Sequence, residues 1–314
     1  MLRFPVTRLV GLVITLLASS LLIFSSLYLT PGDPISTLSG GRTLPPEAVE
    51  AVRQQYHLDD PFFLRYLAWL GDVVRGDLGE SFVFNAAVSA LVSARVGTTV
   101  LLVAMASVLI VGVGITLGVL GGVRGGLLDK GMLVTTVIGQ AVPSFVAAIV
   151  LIWLFAVRLS WFPAIGSGEG FADRLHHLTL PAMALALAYL AYVARISRAA
   201  TRDELSREHV ETARARGLSS SQVVRRHVVR NAMIPIATVS GLTIAGLLAG
   251  TVVVERAFNL DGLGSLLVEA VARKDVAVVQ AVSLILVTAF VVVNTLVDLL
   301  YRVLDPRMGL AAGP

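Results

Sequence analysis

Six apolar stretches dominate this chain, at about 9–29, 97–120, 131–157, 178–194, 232–254 and 278–300. An α-helix needs roughly 20 apolar residues to cross the hydrocarbon of a bilayer. Composition agrees: hydrophobic residues are 56% and charged residues 15% of 314. A soluble domain has about 45–50% and about 25%. Buried helices of a large soluble protein would be neither this long nor this numerous. The sequence predicts an all-α membrane protein with six transmembrane helices in one domain spanning 1–314.

The first run could instead be a signal peptide, since Arg3 and Arg8 precede it. Signal h-regions are about 7–15 residues long and end at a small-residue cleavage site. This run is longer and leads into Tyr28-Leu-Thr-Pro-Gly-Asp-Pro34, which offers no such site. It reads as an uncleaved span. The chain has no cysteine, which excludes disulfides and thiolate metal sites.

Charge sets the expected orientation. With both termini in the cytoplasm, the inner segments hold fifteen of the 25 Lys+Arg but only seven of the 21 Asp+Glu. Basic residues beside spans stay on the cytoplasmic side. The segment 195–230 carries nine arginines in 36 residues, against five in the 67 residues of the outer segment 30–96. The isoelectric point near 9.7 therefore reflects membrane topology. No basic segment carries the interleaved aromatics on which nucleic-acid bases stack, so no nucleic-acid partner is expected.

The basic segment is patterned. Thr212 to Arg216 suit a helix, and Gly217 can take the left-handed conformation that commonly ends one. Ser219 with Gln222 forms a capping box that starts another. The segment reads as helix, tight turn, helix, projecting from the membrane towards the cytosol.

This segment resembles the cytoplasmic loop of ABC importer permeases, whose signature is Glu-Ala-Ala, three residues, then Gly. Here it stands as Glu211, Thr212, Ala213, then Gly217, with Thr212 departing from the pattern. The stretch His227-Val-Val-Arg-Asn-Ala-Met-Ile-Pro235 is similar to the variant in dipeptide and oligopeptide permeases. Leu29-Thr-Pro-Gly-Asp-Pro34, Gly76-Asp-Leu-Gly-Glu-Ser81 and Val297-Asp-Leu-Leu-Tyr-Arg-Val-Leu-Asp-Pro-Arg307 resemble the first permease subunit of that family. The resemblance implies a type I ABC importer permease in a prokaryotic cell membrane, taking up peptides delivered by an external binding protein. It implies a heterodimer with a second, similar permease. Two cytosolic ATPases would bind ATP and Mg, with no cofactor in this chain. The ATPase-coupling residues it implies are Glu211, Thr212, Ala213, Gly217, Leu218, Ser219 and Gln222. Nickel, glutathione and haem importers share these motifs, so those cargoes stay open.

No Gly-x-x-x-x-Gly-Lys-[Ser/Thr] phosphate loop occurs, and Gly121-Gly-Val-Arg-Gly-Gly126 lacks the lysine and hydroxyl that would complete one. The five histidines form no His-Glu-x-x-His helix. An enzyme is not expected. An ion-coupled secondary transporter is the rival class. Such proteins hold ionisable groups in midmembrane, whereas Asp298, near the cytoplasmic end of the sixth run, is the sole ionisable residue within a run, with Arg302 as its local partner.

Mild hydrogen-bonding side chains in the spans are the candidates for a cargo path, against the alternative of bonding between helices. Gln140 is the best of them, with Ser144 beside Pro143 and Asn294 in the last span. Gly114 with Gly118, and Gly246 with Gly250, read as close-packing pairs. In the outer segment, Pro45-Pro-Glu47 starts one short helix, and Asp60-Pro61 caps another. That second helix has an aromatic face of Phe62, Phe63, Tyr66 and Trp69, which either meets the membrane and the chain's own spans or receives a soluble partner.

Overall fold

The computed structural model describes residues 3–29, 45–55 and 58–304. Among these, helices α1 (Arg3–Leu29), α2 (Pro46–Gln55) and α3 (Phe62–Arg75) lead to a two-residue hairpin, β1 (Glu80–Ser81) with β2 (Ala86–Ala87). The remainder is helical: α4 (Val88–Arg124), α5 (Gly126–Ala141), α6 (Ser144–Arg158), α7 (Gly170–Leu205), α8 (Glu208–Ala215), α9 (Ser220–Ala257), α10 (Leu263–Ala272) and α11 (Val276–Leu304). Helices α1, α4, α7, α9 and α11 are each long and apolar enough to cross a membrane. Most of Leu29–Pro34, Tyr56 and the end of the C-terminal motif lie outside the described residues, as do the side chains of Asp298 and Arg302.

The expected third span is not one helix. Helices α5 and α6 meet at 104° across Val142 and Pro143. Proline has no N–H and its ring pushes the preceding residue out of the helical region. Val142 is accordingly extended, at φ −82° and ψ 116°, and Pro143 follows at φ −60° and ψ 145°. The carbonyl that opens α6 is that of Pro143 itself, accepting from the Ala147 N–H at 3.0 Å.

Other boundaries also move. The run 178–194 is the middle of the 36-residue helix α7, which passes through Pro181. Arg195, Arg198 and Arg202 therefore stand on α7 rather than in a loop, and the connection to α9 occupies 206–219. Apolar runs mark the part of a helix that needs lipid or protein cover; the helix continues wherever its backbone bonds can. Glu255, one residue past the fifth run, is likewise in the last turn of α9 and fully buried. Asp60 does not cap α3: Pro61 holds that position, without a side-chain bond.

The sequence reads as one domain; the structure divides into two compact units interleaved along the chain. Among the described residues, the first comprises 100–260 with 292–304, and α7 is its centre, packed against α4, α5, α6 and α9. Its core includes Leu102, Ile110, Leu178, Leu185, Val193, Leu247 and Phe258. Glycines set the close approaches. A Cβ on Gly118 would lie 2.4 Å from Ser197 Cβ and 2.5 Å from the Ala194 carbonyl oxygen, and one on Gly122 would lie 2.8 Å from Thr201 Cβ. Gly250 faces Leu185 Cδ1 at 2.9 Å in the same sense, beside a Tyr189 hydroxyl that donates to the Gly246 carbonyl at 3.3 Å.

The second unit comprises the described residues of 3–99 with 261–291. Phe24 of α1 packs its ring against Phe62, Tyr66 and Trp69 of α3 at 5.4–5.7 Å, and Ser20 Oγ meets Tyr66 Oη at 2.8 Å. The aromatic face of α3 is thus partly used against the chain's own first span, while Phe63 and Leu67 remain exposed. The stretch Gly76–Ser81 ends α3 with Gly76 at φ +89°, turns through Gly79 at φ +79°, and brings the Ser81 hydroxyl onto the Asp275 carboxylate. Helix α10 lacks a local side-chain cap. The Leu263 N–H donates instead to Thr99 Oγ1 at 2.8 Å, a capping bond supplied from 164 residues away.

Candidate functional site

The segment from Glu208 to Gln222 is a short helix, a glycine turn and the start of a long helix. Helix α8 ends in two bonds that wrap back over its last turn. The Gly217 N–H donates to the Arg214 carbonyl at 2.9 Å, and the Leu218 N–H to the Ala213 carbonyl at 3.3 Å. This is the 5→2 and 6→1 pairing of a Schellman cap, which requires a left-handed residue at the turn. Gly217 supplies it, at φ +79°. Two residues on, the Gln222 N–H donates to Ser219 Oγ, and the Ser219 N–H to Gln222 Oε1 at 3.1 Å, closing the capping box.

Between the two caps lies a small core. Val210, Ala213, Val223 and Val228 are buried together, with Leu205 and Leu218 packed against them. Ala213 is therefore internal and Leu218 half-buried. Glu211, Thr212, Arg214, Arg216, Gly217, Ser219 and Gln222 are exposed, and Glu211 makes no ion pair among the described residues. A charged edge is exposed, while the apolar side chains hold the two helices together.

Residues that local pattern does not reveal tie this element to the long helices. Glu204 Oε1, near the end of α7, accepts from Asn231 Nδ2 at 3.0 Å and lies 3.1 Å from His209 Nε2. Asn231 Nδ2 also lies 3.3 Å from His209 Nε2. One cluster thus joins α7, α8 and α9. A second charge cluster fixes α5 to α7: the buried Asp129 accepts from Arg198 through both carboxylate oxygens and forms an ion pair with Arg202 Nη2 at 2.9 Å. The available signals were the one-turn spacing of Arg198 and Arg202 and the position of Asn231 inside the quoted motif.

The cargo-path candidates are only partly brought together. Gln140 and Ser144, both half-buried, bracket the 104° break at Pro143. Asn294 stands on a separate element, α11, and is half-buried.

Comparison with known proteins decides the family. The model of the binding-protein-dependent transport system inner membrane component matches residues 114–310, and its N-terminal companion matches 1–103. The chain belongs to this family of inner membrane components. The glutathione transport system permease protein GsiC of Escherichia coli K12 is 37% identical, over 98% of this chain and 99% of its own length. The oligopeptide transport system permease protein AppB of Bacillus subtilis is 37% identical, over 93% and 95%. A Brucella suis permease protein is 38% identical, over 98% and 99%. Among solved structures, the inward-facing MetNI methionine ABC transporter superposes with a TM-score of 0.54 at 18% identity, covering 68% of this chain and 96% of that one. The fold is that of a type I importer permease. As an inner membrane component, the chain is the membrane part of an ABC importer that works with an ATPase and a binding protein, and it is not itself a catalyst.

Proposed function

We propose that this permease carries short peptides inward, delivered by an external binding protein, as one half of a heterodimer with a second, similar permease. The observation that carries the cargo is near-full-length similarity to relatives named for oligopeptide and glutathione transport, glutathione being itself a small peptide. The edge formed by Glu211, Thr212, Arg214 and Gly217 docks on a cytosolic ATPase, and ATP with Mg belongs to two such partner subunits. ATPase closure pushes on α8 and the Gly217 turn. The small core around Ala213 and Leu218, with the Glu204–Asn231 contact, passes that push to α7 and α9. The spans then rock between inward- and outward-facing states. Gln140, Ser144 and Asn294 offer neutral hydrogen-bonding groups along the path, able to solvate amides without trapping them.

In proteoliposomes holding the assembled importer, peptide uptake should require ATP and persist when the proton gradient is collapsed at constant ATP. Gln140→Glu should impair anionic peptides more than cationic ones, because an unpaired ion in a narrow passage is costly unless the cargo compensates it. Uptake that stops with the gradient would return the chain to the ion-coupled class. Equal uptake of both peptide classes by Gln140→Glu would remove Gln140 from the path.

The orientation has its own test in this cysteine-free chain. Ser220→Cys and Glu169→Cys, both at exposed positions, should label from opposite faces with an impermeant thiol reagent, Ser220→Cys from the cytoplasm. The neighbouring Gly168 is unsuitable: it sits at φ +71°, with Asp173 Oδ2 and His177 Nδ1 each 2.8 Å from where its Cβ would be. Labelling of both positions from one face would overturn the six-crossing topology.

A further inference from the structure

A cavity of about 410 Å³ opens between the last turns of α4 and the start of α9. Its wall is divided by chemistry. Leu120 and Val123 supply an apolar side, while Arg124, Arg225, Ser220 and Ser221 supply guanidinium and hydroxyl groups. Neither arginine has an acidic partner among the described residues. This contrasts with Arg198 and Arg202 in the same unit, which share the carboxylate of Asp129. Two like charges lining one cavity without a counterion leave a place for an anion.

The apolar side indicates what carries that anion. Val113, Leu117 and Leu120 recur at helical spacing on α4 and stay 41–43% exposed, forming an uncovered stripe that runs down the span to the cavity mouth. The opposite face of α4, through Gly114, Gly118 and Gly122, is the one pressed against α7. An apolar stripe on a membrane span that ends at a cavity lined by two arginines fits an acyl chain ending in a phosphate. We infer that this cavity binds the headgroup of an anionic phospholipid from the leaflet on the side of the basic segment. The phosphate lies between Arg124 and Arg225 with the serine hydroxyls as donors, and the chain lies along Leu120, Leu117 and Val113. The inference does not depend on the cargo.

The assembled importer in detergent would be incubated with photoactivatable phosphatidylglycerol, or with phosphatidylcholine bearing the same chains and label. Phosphatidylglycerol should be captured in preference, and its crosslinks should map to peptides containing 113–124 and 220–229. Arg124→Gln/Arg225→Gln should lower that capture about tenfold, each cation at an anionic lipid surface contributing a few-fold. Lys130→Gln, which removes a basic charge outside the cavity wall, should leave it unchanged. Equal capture of the two lipids, crosslinks elsewhere in the unmodified importer, or an equal loss in Lys130→Gln would each overturn the proposal. Full displacement of the lipid by millimolar inorganic phosphate would overturn the lipid source and leave a free-phosphate site. Should the double variant fail to assemble, the crosslink map of the unmodified importer decides.

Discussion

Gly118→Leu should abolish accumulation of folded permease in the membrane, whereas Gly112→Leu, on the same helix, should leave it nearly intact. At Gly118 even the first added carbon would overlap Ser197 Cβ and the Ala194 carbonyl, and the carbonyl belongs to the backbone of α7 and cannot rotate away. Overpacking in a well-packed core costs about 1–3 kcal/mol, and a side chain of four carbons wedged against a backbone lies at the upper end or beyond it. The only escape is to part α4 from α7, which uncovers the core around Ile110 and Val193. At Gly112 an added Cβ meets nothing within 4 Å. Membrane yield and melting of the detergent-purified importer, followed by size-exclusion fluorescence, would separate the two variants. Equal yield and melting would show that α4 and α7 do not depend on this contact.

Gly217→Val should uncouple peptide uptake from ATP hydrolysis while leaving insertion and assembly intact. The strain is confined to the backbone: Gly217 is at φ +79° with open space around its Cβ position. A residue with a side chain in the left-handed region costs about 1 kcal/mol or more, and a β-branched one is the least tolerant. The turn would relax by rotating α8, moving the exposed edge that carries Glu211. Gly217→Asn should be milder, since asparagine visits this region readily. Glu211→Ala should reduce uptake without affecting melting, because Glu211 is exposed and makes no ion pair among the described residues. Uptake and hydrolysis would be measured together in proteoliposomes. Full uptake by both Gly217→Val and Glu211→Ala would sink the assignment of this turn to coupling.

Features set by neighbours in the sequence could be read directly. The turn at Gly217 and the capping box at Ser219 and Gln222 are local hydrogen-bond patterns, each complete within six residues, and both stand in the structure as expected. The membrane class followed from the apolar runs for the same reason: crossing lipid is a requirement on a single helix. Family motifs carried the reading further, and the matching family models bear out the ABC importer permease they imply.

What required a partner from elsewhere in the chain was not legible. The apolar run 178–194 is the shortest of the six, yet α7 is the most enclosed candidate span, 56% of its apolar window buried against 11% for α1. A helix surrounded by other helices is covered by protein, so its hydrophobicity understates its place at the centre. Pro143 announced a disturbance, but a proline allows outcomes from a gentle kink to a full break, and the 104° angle is decided by what α5 and α6 pack against. Asp129 with its two arginines, Glu204 with Asn231, and Thr99 as the cap of α10 are pairings across 27 to 164 residues. The sequence by itself determined that helices must form, where the glycine turn at 217 lies and which lipid-length runs need cover. Only the tertiary structure decided which helix is innermost, where a span breaks and which buried charges are matched, because those depend on distances between residues that local order does not encode.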